Sequence, residues 1–160
     1  MRQFGSTIML LGIGLGVLAL GSTVLARPPG APAPSPRPFS TGCVVEVLDT
    51  HPSAQCFTEA VPAGFRFEIH TVTAGLQVGS GIKPIELHAQ IATGGNVQTY
   101  FFPATFMSDS QQFTGDFWAT NQSVLLNADT GTAPLFTVTL SDRSFGYADI
   151  AVSGMLVPVE

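Results

Sequence analysis

Residues 61–74 read VPAGFRFEIHTVTA. Pro62-Ala63-Gly64 is a turn signal, and after it Phe65, Phe67 and Ile69 alternate with Arg66, Glu68 and His70. An apolar period of two marks a half-buried strand. The same alternation returns downstream, with Ile85, Leu87, Ala89 and Ile91 set against Glu86, His88 and Gln90. It returns again in Phe136, Val138 and Leu140 against Thr137 and Thr139. Ile150, Val152 and Leu156 form one face of a last strand, opposite Ser153 and Met155. Further strand candidates are Val97–Phe102, Gln112–Trp118 and Val124–Ala128. From residue 40 onward no apolar i, i+3, i+4 pattern reaches helical length. The breaks are turn chemistry: Gly79-Ser80-Gly81, Gly94-Gly95-Asn96, Asp129-Thr130-Gly131 and Ser144-Phe145-Gly146. About eight or nine short strands so spaced predict an all-β antiparallel sandwich of jelly-roll or Greek-key type.

Composition agrees with a packed domain. Of 160 residues, 45% are hydrophobic and 11% charged, against about 25% charged in ordinary soluble proteins. Disorder needs the opposite balance. Six basic and eleven acidic residues leave a net charge of −5, which excludes a nucleic-acid partner, because nothing could neutralise a row of phosphates. Residues 1–26 read as an export signal: Arg2, the apolar run Ile8 to Leu20, then Val24 and Ala26 at the −3 and −1 positions of a cleavage site. The alternative is an uncleaved membrane anchor, since Thr7 to Ala26 is just long enough to span ~30 Å of hydrocarbon. Residues 27–39 hold six of the twelve prolines and read as an extended linker. Residues 40–160 are then the sandwich domain, expected outside the cytoplasm: secreted, periplasmic or on the cell surface.

The two cysteines, Cys43 and Cys56, flank the turn Asp49-Thr50-His51-Pro52-Ser53. In an exported chain this pair predicts a disulfide. A hairpin folded about residues 49 and 50 would set the two thiols opposite each other. A metal site is the weaker reading, as two cysteines leave a zinc shell half empty.

Three segments carry a resemblance: VPAGFRFEIHTVTA (61–74), ATNQSVLLNADTGT (119–132) with FTVTLS (136–141), and ADIAVSGMLV (148–157). They resemble a group of small, uncharacterised secreted bacterial proteins. That group shares the V-P-A-G turn before a long strand, a D-x-G-T turn, and a final S-G-x-L-V strand. The resemblance implies a β-sandwich and brings no catalytic residues with it. The cysteine pair and the proline-rich linker fall outside the shared pattern.

No local motif defines a reaction. There is no G-x-S-x-G elbow, no phosphate-cradling glycine loop, and no acid pair that spacing alone brings together. The expectation is a non-enzymatic surface or binding protein. Two constellations could carry binding. The first is Phe67-Glu68-Ile69-His70 with Ile85-Glu86-Leu87-His88. If these strands paired as a hairpin centred on Val78, then Glu68, His70, Glu86 and His88 would cluster on one face and could hold zinc or copper. The competing reading is an exposed polar face worth about 0.2–1 kcal/mol per cross-strand pair. The second is the aromatic run from Tyr100 to Trp118. Phe101-Phe102 and Phe117-Trp118 must each put one ring on either face of a strand. An outward ring would make a platform for a polysaccharide or a surface protein. Trp118 is the candidate anchor, with Asp116, Asn121 and Tyr100 as polar neighbours. Asn121-Gln122-Ser123 matches a glycosylation acceptor and is read as a turn. Asp129 and Asp142 are read as turn residues rather than calcium ligands.

Overall fold

The computed structural model describes residues 34–110 and 115–159; residues 1–33, on which the expected export signal and part of the expected linker fall, residues 111–114 and residue 160 lie outside them. Within the described residues there are nine strands and no helix. They are β1 (Arg37–Val47), β2 (Ser53–Phe57), β3 (Phe65–Val78), β4 (Pro84–Thr93), β5 (Asn96–Phe101), β6 (Thr105–Ser110), β7 (Gly115–Ala128), β8 (Leu135–Leu140) and β9 (Gly146–Pro158). They form two sheets, ordered β1-β9-β3-β7-β6 and β2-β8-β4-β5, with every ladder antiparallel. Setting aside the edge strand β6, the ladders β1·β9, β2·β8, β3·β7 and β4·β5 are the rungs of one long hairpin. Rolling that hairpin up adds β3·β9 and β4·β8. This is the jelly-roll course of an antiparallel β-sandwich.

The period-two residues meet between the sheets. Phe67, Ile69, Val72 and Leu76 of β3 are fully buried, as are Phe136 and Val138 of β8 and Ile150 and Val152 of β9. Burying each such side chain contributes about 1.5–3 kcal/mol. The alternation breaks in two places. Ile85, expected inside, is 66% exposed, because the β4·β8 register shifts between Pro84 and Glu86. In β3, His70 and Thr71 stand against the single Ser153 of β9, a bulge that moves the inward set from Phe67 and Ile69 to Val72 and Ala74.

Other sequence expectations need correction. Arg37, Pro38 and Phe39, assigned to the linker, begin β1, and Phe39 packs edge-on to Phe67 with centroids 5.0 Å apart. Asn121-Gln122-Ser123 is not a turn but the middle of β7, which joins two expected segments into one 14-residue strand. Cys43 and Cys56 do lie at disulfide distance, with Cα atoms 5.9 Å apart. They are not across a hairpin, however. β1 pairs with β9 and β2 with β8, so the link fastens the two sheets together at one edge.

The turns interlock at one end. Val61 donates to Thr132 O and its own carbonyl accepts from Gly131 N, so the VPAG and DTGT turns clasp each other. Asp129 of the second turn accepts from Gly95 N at 3.0 Å, holding the β4–β5 hairpin. Gly94 and Gly95 have φ of 58° and 75°, the left-handed pair that a tight two-residue hairpin turn requires.

Candidate functional site

β3 is the middle strand of the five-stranded sheet, with β9 on one side and β7 on the other. The registers lay out three rows on its outer face. Gln77 stands between Tyr147 and Phe117, Gly75 between Asp149 and Ala119, and Thr73 between Ala151 and Asn121. Neighbouring strands are about 4.8 Å apart and rows about 6.8 Å apart. The two aromatic residues therefore flank Gln77 at a spacing of roughly 10 Å. These nine residues line a shallow basin of about 570 Å³.

Small residues make its floor. A Cβ added at Gly75 would lie 3.4 Å from Cζ of Phe117, so the glycine lets that ring lean over the strand backbone. Phe117 and Tyr147 are 37% and 38% exposed. Gln77, Thr73 and Asn121 supply amide and hydroxyl groups, which both donate and accept. Asp149 is the one carboxylate among the nine. On the far side of β9, Val44 pairs with Asp149 and Glu46 with Tyr147.

Two rings, Phe117 and Tyr147, therefore face outward on this sheet, and Trp118 is not one of them. β7 turns Phe117 outward and Trp118 inward, where its half-buried indole packs on the core and meets Phe106 edge-on at 5.3 Å. Asp116 shares the inward phase and accepts from Gly81 N at 2.9 Å, tying the β3–β4 crossover to β7. Tyr100 lies in the other sheet, half-buried against the core, with its hydroxyl donating to Gln98. Of the four residues expected at a platform, only Asn121 lines the basin. Phe117 and Trp118 are adjacent in the sequence, and nothing local tells which ring faces out. Tyr147, Gly75 and Asp149 carried no sequence signal, because their meeting depends on β9 returning beside β3.

The Glu–His cluster does not assemble. β3 and β4 belong to different sheets, since the connection at residues 79–83 crosses the sandwich instead of folding back. Glu68 and His70 are on the outer face of one sheet, Glu86 and His88 on the outer face of the other. Face-to-face sheets stand about 10 Å apart, with the core between them. Glu68 takes the guanidinium of Arg66 at 2.6 Å. His88 Nδ1 is 3.1 Å from Glu86 Oε1 without hydrogen-bond alignment, and its ring packs beside Phe101 at 5.6 Å. His70 sits at the β3 bulge, by a second shallow depression with Ser40, Ser153 and Gly154. Among the described residues, no group of three or more His, Cys, Asp or Glu side chains is placed to hold a metal.

No protein-family model and no curated protein matches this chain. Among solved structures, the capsid asymmetric unit of cyanophage Pam1 is similar at a TM-score of 0.45 and 15% identity, over 88% of this chain and 100% of that one. A likeness so distant has no bearing on function.

Proposed function

We propose that the protein is an exported, non-enzymatic β-sandwich that binds polysaccharide on the outer face of its five-stranded sheet. The observation that carries this reading is the pair of outward rings, Phe117 and Tyr147, flanking Gln77 above a floor of Gly75, Ala119 and Ala151. A pyranose has an apolar C–H face and a rim of hydroxyls. Exposed rings offer the first a stacking partner, and Gln77, Thr73 and Asn121 offer the second donors and acceptors. Sheet-borne rings also lose little entropy on binding, since their backbone is already fixed. Two features support export. Residues 1–26 have the organisation of a cleavable signal, and a cysteine pair at disulfide distance suits an oxidising compartment.

The test is co-sedimentation with a panel of insoluble polysaccharides, using the native protein, Phe117→Ala and Tyr147→Ala. Each substitution should remove most binding while shifting stability by less than about 1 kcal/mol, because both rings are partly in water. Full binding by the double variant, or no binding by the native protein to any member of the panel, would overturn the reading.

A further inference from the structure

We infer that the ligand of this basin is an amino-sugar polysaccharide, whose ammonium group is received by Asp149. This rests on the polysaccharide reading above and narrows it to one chemical class. The strand segments that frame the basin are residues 42–46, 71–77, 117–123 and 147–153. They contain no Lys, Arg or His, and their two carboxylates are Glu46 and Asp149. Both are exposed on the outer face, and neither enters an ion pair among the described residues. A glycan bearing carboxylates or sulfates would bring like charge onto this surface, with no cation in these four segments to offset it.

Placement adds to sign. Asp149 lies one row below the aromatic row, about 6.8 Å along the strand. Its neighbours across the sheet are Gly75 and Ala119, so at most a methyl group separates it from the basin floor. A sugar stacked on Tyr147 or Phe117 would hold its ring substituents over that row. A neutral sugar offers that carboxylate only hydroxyl or amide donors, whereas an ammonium offers donors together with an opposite charge. The net charge of −5 draws a polycation from a distance as well, an effect that salt screens beyond roughly 10 Å. The local pairing is therefore what the experiment must isolate.

Binding of soluble chitosan, chitin and alginate oligomers of equal length would be measured by calorimetry. The proteins would be the native form, Asp149→Asn, the double variant Phe117→Ala/Tyr147→Ala, and Asp142→Asn as an exposed acid outside the basin. Chitosan should bind about two- to five-fold tighter than chitin, the range of an exposed ion pair, and alginate should bind weakest. Asp149→Asn should bring chitosan and chitin to equal affinity, while Asp142→Asn should keep the native ratio between them. Equal binding of chitosan and chitin by the native protein would overturn the inference. So would a chitosan preference that survives Asp149→Asn, or alginate binding as tight as chitosan. If the aromatic double variant loses binding but Asp149→Asn keeps the preference, only the amino-sugar assignment falls. If the aromatic variant binds as well as the native protein, the basin itself is wrong.

Discussion

Phe117 and Trp118 are neighbours in the chain and live in different solvents. Phe117 is on the water side of β7, whereas the Trp118 indole is wedged against the core and against Phe106. Trp118→Ala should therefore lose about 2–3 kcal/mol, somewhat below the cost of truncating a fully buried aromatic ring, as read from urea unfolding. Trp118 emission in the native protein should shift to the red on unfolding, and adding polysaccharide should leave the native emission in place. Asp129 gives a second prediction at this scale. Backbone N–H groups of Gly95 and then Gly94 hold its carboxyl below the usual carboxylate range, with a smaller push from the Arg66 charge. A carboxyl lowered in the folded state stabilises the fold above its unfolded value, near 3.9, and loses that contribution as pH falls through the folded value. Asp129→Asn should thus be less stable than the native protein at neutral pH, and the gap should close in acid. Urea midpoints followed from about pH 7 to pH 2 test this; a gap that does not change with pH would discard it.

At the scale of elements, the Cys43–Cys56 link joins β1 to β2, the two edge strands on one side of the sandwich. Each of these strands has a ladder on one side only, so the link joins two strands that backbone hydrogen bonds hold along a single edge. Replacing both cysteines by Ala should cost roughly 3 kcal/mol in the chain-entropy account of a loop this size. Unfolding of the double variant should match that of the reduced native protein, and equal stability of the oxidised and reduced forms would sink the idea. The same scale shows which strands can be read from sequence. β3, β8 and β9 alternate because one of their faces is buried along most of its length. β6 carries no strand signal because Thr105, Phe106, Met107 and Ser108 are all exposed at the sheet edge, so no period of two is imposed on them. β7 looks like two pieces in the sequence because Asn121-Gln122-Ser123 is polar on both faces. In the folded chain this polar stretch lies beside the irregular β3·β7 register around Ile69 and Thr71.

For the whole molecule, export makes a prediction of its own. If residues 1–26 are a cleaved signal, the mature protein should have the intact mass of a chain beginning at Arg27, and a full-length species retained in membranes would make residues 1–26 an anchor instead. Along the described chain, residue order alone determined the all-β class, the main turns and most of the core. A buried face and a tight turn each leave a local mark, in the alternation of side chains and in the glycines that permit positive φ. The cysteine pair was also legible, although its setting was not. Only the tertiary structure decided which strands are neighbours. The crossover at 79–83 parted Glu68 and His70 from Glu86 and His88, and the return of β9 beside β3 brought Tyr147 and Asp149 to Gly75 and Phe117. Strand order leaves no local mark, because any strand with an apolar face can be buried beside any other. It is set by how the whole chain closes its two sheets over one core, and that closure made the basin.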